Sequence, residues 1–201
     1  MFPVLLWRRK ELENYFIDPA FVVHSPFFDG NQQDLNSFLE REATKRVFLD
    51  AANYAVIKAR DLCRMNWITI ARETEAYQNR EAAINKLLSR PEFERKLQAD
   101  QELLSKEKLV HLFETRLQDM IAGQERCAMG QGRWLQLISG KKIMKSLFSL
   151  SMFNVTDRSG RSLQGTVKEL QIAKSLMKLD EERLPDDFVE LRRIVKQRIQ
   201  S

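Results

Sequence analysis

The chain has 201 residues, room for one domain or two small ones, with 43% hydrophobic and 30% charged side chains. That balance excludes disorder along the whole chain, and 7 Gly with 5 Pro are too few for a loop-rich or collagen-like protein. The net charge is +5, and two cysteines and two histidines (Cys63, Cys127, His24, His111) exclude a disulfide scaffold, a Cys-based zinc module and a His-rich metal site.

Residues 2–7 are apolar and β-compatible, with Pro3 limiting them to an edge or terminal strand. Residues 11–23 suggest a short helical turn that ends near the Asp18-Pro19 step. Residues 24–33 carry loop chemistry. From Asp34 to about Met65 the pattern is helical, with Leu35, Phe38, Leu39, Val47, Phe48, Ala51, Ala55, Ile57, Ala59 and Leu62 on the stripe. Asp34 is read as the N-cap, and the length predicts a break in the middle.

Residues 66–78 fit either a short strand or a helix end around Trp67, Ile68 and Ile70. Asn79 to Ser89 reads as a short helix, and Pro91 opens another that runs to about Leu104. Ser105 caps the next, which ends at Gly123. After the turn at Gly130, the run from Arg133 to Ser139 reads as extended. Gly140 precedes a helix of about ten residues. Residues 154–165 read as a loop. Thr166 opens a helix to about Leu179. Pro185 and Asp186 open the last, with Phe188, Leu191, Ile194, Val195 and Ile199 facing inward.

The excess charge is confined to one part of the chain. Residues 1–132 carry 19 Lys and Arg against 20 Asp and Glu, and residues 133–201 carry 14 against 8. A basic final third fits contact with a polyanion, or an ordinary solvated helix surface. No apolar run approaches the 18 residues that suggest a membrane-spanning helix. At the start, charge follows the apolar run, the reverse of a secretory signal. The expected compartment is the cytoplasm, which suits free thiols.

Two constellations could carry chemistry. The first is Arg8-Arg-Lys-Glu-Leu-Glu-Asn-Tyr-Phe16. On an extended backbone Glu11 and Glu13 share one face and could hold half of a Mg²⁺ site; on a helical backbone they diverge. The alternative is a solvated helix start whose acids favour the helix dipole. The second is Ile138-Ser-Gly-Lys-Lys142, a lysine beside free backbone amides, an arrangement that attracts phosphate. It is not a P-loop, because Leu135 stands where the first Gly should be and Lys142 replaces Ser or Thr. The alternative is a Gly turn with exposed lysines.

In this order the motifs resemble a family. Leu5-Leu-Trp-Arg-Arg-Lys-Glu-Leu-Glu-Asn-Tyr-Phe-Ile-Asp-Pro19 is similar to the R-R-E-I-E-N-Y-L-L-D-P stretch of TOPRIM proteins of the OLD (overcoming lysogenization defect) type. In those proteins a helical insertion follows, then an aromatic and a Gly-Lys, as in Trp134 and Gly140-Lys141. Last comes L-P-x-D-h before a final helix, as in Leu184-Pro-Asp-Asp-Phe188. Residues 34–130 match only in being helical. The chain lacks the ATPase module and the first TOPRIM half that such proteins carry.

The resemblance implies metal-dependent DNA cleavage in phage defence. It assigns Glu11 and Glu13 to a Mg or Mn site and Lys141 to the transition-state charge. It implies a C-terminal fragment, inactive alone, whose site is completed by an ATPase/TOPRIM segment or protein. The expected fold is mainly α, a helical bundle with one or two short strands near residues 2–7 and 133–138. Its parts are a TOPRIM-like remnant (1–33), a helical insertion (34–130) and a basic helical part (131–201) packing back on the first. The alternative function is a non-catalytic helical binding or dimerisation module, with DNA or a protein as partner, no membrane, and a homo-oligomer compatible with either reading.

Overall fold

The structure, a computed structural model, describes residues 8–65, 83–85, 89 and 91–200. The fold is mainly α, as the periodicity predicts. The strand expected at 2–7 and the ambiguous stretch 66–78 lie outside the described residues. So does most of the helix expected over 79–89, of which residues 83–85 are helical.

A 3-10 helix, Leu12–Ile17, leads into α1, Pro19–Val22. Asp18 separates them, its carboxylate accepting from the Ala20 amide while Pro19 fills the first helical position. The next helix, α2, is Gln32–Thr44, and its N-cap is Asn31, not Asp34. The Asn31 side-chain oxygen accepts from the Asp34 amide at 2.7 Å, which places Asp34 inside the first turn, where its charge favours the dipole. The long helical pattern breaks before α3, Val47–Met65. A distant stretch of chain meets the helix at the break. The Thr44 hydroxyl donates back to the Glu40 carbonyl at 2.7 Å and accepts from the Cys127 amide at 3.1 Å, so another stretch of main chain docks at the helix end.

Helix α4, Pro91–Leu103, and α5, Lys106–Ile121, follow. Ser105 caps α5, its hydroxyl accepting from the Lys108 amide. The segment read as extended, 133–138, is instead one helical turn, α6, Trp134–Leu137. Gly132 explains the difference. At φ +61° a Cβ there would fall 2.0 Å from the Met120 carbonyl oxygen, a close approach that only glycine permits. The next amide, Arg133, donates to the Asp119 carbonyl, and the Trp134 indole donates to the Ala128 carbonyl, which winds the chain into a turn. Helices α7, Gly140–Ser149, α8, Gly165–Leu176, and α9, Asp186–Gln200, complete the chain. Between α8 and α9 lies a short 3-10 turn, Glu181–Arg183. Among the described residues, β pairing is limited to two isolated bridges, Phe28 with Phe153 and Thr156 with Ser162.

The chain forms two compact units. The first joins Met1–Asp50 to Leu117–Ser201, and the second is Ala51–Arg116, narrower than the insertion expected over 34–130. In the first unit the 3-10 helix packs on α7, and α7 packs on α8 and α2. An aromatic chain runs through its core. Tyr15 meets Phe188 at 4.8 Å, Phe16 meets Phe148 edge-on at 6.5 Å, and Phe148 meets Phe153 at 5.2 Å. Each such ring buries about 150–250 Å² and dominates the local energetics. In the second unit the buried stripe of α3 is Ala51, Ala55 and Ala59, at helical spacing. Ile57, expected on that stripe, is exposed, as is Phe48 at the start of α3 in the first unit. The inward face of α9 is shorter than its pattern: Phe188 and Ile194 are buried, whereas Val195 is exposed and Ile199 is 79% exposed.

Candidate functional site

The three motif segments meet in the first unit. The main-chain amide of Lys10 donates to the Gln136 carbonyl at 2.8 Å, which ties the start of the first motif to α6. Asn14, fully buried, uses both side-chain protons, one to the Leu135 carbonyl and one to the Ile138 carbonyl, each at 2.9 Å. Gly140 lies against this asparagine. A Cβ at Gly140 would stand 2.8 Å from Asn14 Oδ1 and 3.0 Å from its backbone nitrogen. The glycine is thus set by a packing constraint and lets the N-terminus of α7 touch the first motif.

Glu11 sits on that N-terminus. Its Oε1 accepts from the Ser139 hydroxyl at 2.9 Å and its Oε2 from the Lys141 amide at 3.4 Å. Ser139 occupies the N-cap position, yet its own side chain caps nothing, so the distant glutamate does the work. Asp50 completes the cap, accepting from the Ser139 amide at 2.9 Å with its other oxygen on Arg46 at 3.3 Å. Helix amides without intrahelical partners attract anions, and here two carboxylates of the same chain supply them. The far end of α7 is complemented as well. Lys168, nearly buried, donates from Nζ to the Leu150 carbonyl at 3.0 Å, and burial holds its ammonium below the usual lysine pKa.

The third motif joins through Asp187. This buried carboxylate accepts from the Arg8 amide at 3.2 Å and from the Tyr15 hydroxyl, and forms an ion pair with Arg8 Nε at 3.1 Å. Arg8 also reaches Asp186 at 2.9 Å. Arg9 pairs with Asp18, donates to the Asn14 carbonyl at 2.7 Å and lies 4.8 Å over the Tyr15 ring. Beside this cluster is a cavity of about 360 Å³ whose lining includes Arg8, Arg9, His24, Gln136, Arg183 and Asp186.

The predicted residues do not all converge. Glu11 and Lys141 are brought together. Glu13 is not part of that contact, because the backbone is helical from Leu12 onward. It lines a separate groove with Phe16, Phe148, Glu169 and Leu170. Among the described residues, no group of three or more His, Cys, Asp or Glu side chains is placed to hold a metal ion. Both Glu11 oxygens are engaged by α7. Glu11 and Glu13 therefore do not fit a metal held between the two of them.

Sequence reasoning missed Asn14, Asp50, Lys168 and Asp187. Asn14 and Asp187 lie inside motifs already singled out. One further signal was available: no acidic residue occurs between Glu125 and Asp157, a stretch that holds Arg126, Arg133, Lys141, Lys142 and Lys145. The structure exposes the three lysines on the outer face of α7. Among the described residues, no helix is long and apolar enough to cross a membrane. Compared with family models, with curated proteins and with solved structures, the chain matches none.

Proposed function

We propose that this chain is the C-terminal part of a metal-dependent DNA endonuclease of the OLD type, acting in the cytoplasm. It contributes Lys141, positioned beside Glu11, to a phosphate-cleaving site that another segment or chain completes. The observation that carries the reading is the convergence of the Arg8–Phe16, Gly140-Lys141 and Leu184–Phe188 segments, which are far apart in sequence. An ammonium on the first turn of α7 faces solvent and can offset the charge that gathers on a scissile phosphate. Lys142 and Lys145 add backbone attraction for DNA. Since Glu11 and Glu13 do not fit a metal between them, no catalytic step is assigned to a metal on this chain. Any Mg or Mn would need further ligands from the completing segment.

The test combines binding and cleavage. The chain is titrated with a labelled DNA duplex at rising salt, and plasmid nicking is followed with Mg²⁺ or Mn²⁺. Expected are a steep loss of affinity with salt, weaker binding in Lys141→Ala, and no nicking by the chain alone. A flat salt response would remove DNA from the reading. Nicking by the chain alone that disappears in Glu13→Ala would show a site complete without a second segment.

A second reading, a non-catalytic helical binding or dimerisation module, is favoured by one observation: both oxygens of Glu11 are committed inside the fold. A TOPRIM-encoding reading frame immediately upstream would decide for the first reading.

A further inference from the structure

Helix α8 and the first 3-10 helix enclose a groove with α7, of about 260 Å³. Its floor is apolar, from Phe16 and Phe148. Its edges carry two large aliphatic residues, Leu12 at 51% and Leu170 at 50% exposure. Glu13 and Glu169 also line it, each half-buried and each without a hydrogen-bond or ion-pair partner among the described residues. A carboxylate half withdrawn from water beside apolar surface loses hydration and gains nothing in return unless a cation arrives. Two leucines left half in water lose burial that a partner could restore.

We infer that this groove docks a segment of a partner protein that presents an apolar face flanked by Lys or Arg. The apolar face covers Leu12, Phe16 and Leu170, and the flanking cations reach Glu13 and Glu169. The charge pattern selects the occupant. A nucleic acid would bring phosphates toward both carboxylates, and an acidic peptide would do the same. The inference does not depend on the nuclease reading, and it gives Glu13 a role in recognition.

The experiment uses the full chain and three synthetic peptides, with binding read by fluorescence anisotropy. One is amphipathic and helical with leucines on one face and lysines at its flanks. The second replaces the lysines by glutamates. The third is the first with its order scrambled. The lysine-flanked peptide is expected to bind, and the other two to bind far more weakly. Glu13→Gln combined with Glu169→Gln should weaken it about fivefold to tenfold, as two exposed ion pairs would, and should flatten its salt response. Leu170→Asp should abolish binding, and Leu12→Asp, on a separate element, guards against a folding defect seen by circular dichroism. Equal binding of the glutamate-flanked peptide, or binding indifferent to both leucine variants, would overturn the inference. Self-association lost in Leu170→Asp, with no peptide binding, would assign the face to a second copy instead.

Discussion

The carboxylate of Glu11 accepts the hydroxyl proton of Ser139 at 2.9 Å, across 128 residues of sequence. This contact makes a glutamate of the first motif the N-terminal cap of a helix in the last third of the chain. A local N-cap is ordinarily encoded one residue before its helix, and here Ser139 holds that place while Glu11 performs the function.

Replacing Glu11 by Ala should therefore destabilise the first unit by about 1 kcal/mol, the usual cost of losing a helix cap. Urea unfolding checks this. Glu11→Gln, which keeps the acceptor and loses the charge, should cost less. Equal stability of all three proteins would mean that solvent supplies the cap as well as Glu11 does.

At Gly140 the constraint is steric. Gly140→Ala puts a methyl group against Asn14, whose backbone nitrogen cannot retreat without moving the 3-10 helix. Overpacking of this kind costs about 1–3 kcal/mol. Thermal unfolding should rank Gly140→Ala below the native protein, with far-ultraviolet circular dichroism retained.

Asp187 and Tyr15 form a buried pair beneath Arg8. Asp187→Ala removes the charged acceptor of both the Arg8 amide and the Tyr15 hydroxyl and should cost about 1.5–3 kcal/mol, the range for a hydrogen bond to a charged group. Tyr15→Phe should cost less. The double variant should cost less than the sum, giving a coupling energy of about 0.5–3 kcal/mol. Strict additivity would show that the two groups act separately.

Lys168 predicts a pH dependence. Burial lowers its pKa in the folded chain relative to the usual 10.5, so the unfolded chain binds the proton more tightly. Stability from this group is therefore lowest while both states are protonated. It rises as pH climbs through the folded pKa and levels off near 10.5. Lys168→Met should lack this rise. Melting temperatures of both proteins from pH 7 to 10.5 should converge or cross in favour of the native chain toward high pH. A constant difference would show that Lys168 does not titrate within the fold.

Most helices were legible because their ends are written locally. Pro91, Ser105, Gly123 and Pro185 each act within one turn of their own position. The one-turn α6 was not, because a short apolar run fits strand or helix equally, and the choice is made by Gly132 pressing on the Met120 carbonyl. Val195 and Ile199 keep the helical period without a surface to cover them. The contacts around the N-terminus of α7 were legible only in part. Glu11 and Lys141 stand out by residue type and order, and Glu11 meets the Lys141 main-chain amide. Asp50 and Lys168 had no such mark, since each serves a helix end that lies 89 or 18 residues further along or back in sequence.

The contact between Arg8 and Asp187 spans 179 residues, and it sets a timetable for the newborn chain. Tyr15, Phe16 and Ile17 are synthesised well before α7 and Phe188, which pack against them. Closing so long a loop is entropically costly and slow, and it cannot begin before residue 188 has been added. The first motif therefore waits through the synthesis of the whole second unit. A chain terminated anywhere before α9 leaves its aromatics open to chaperones or to other copies.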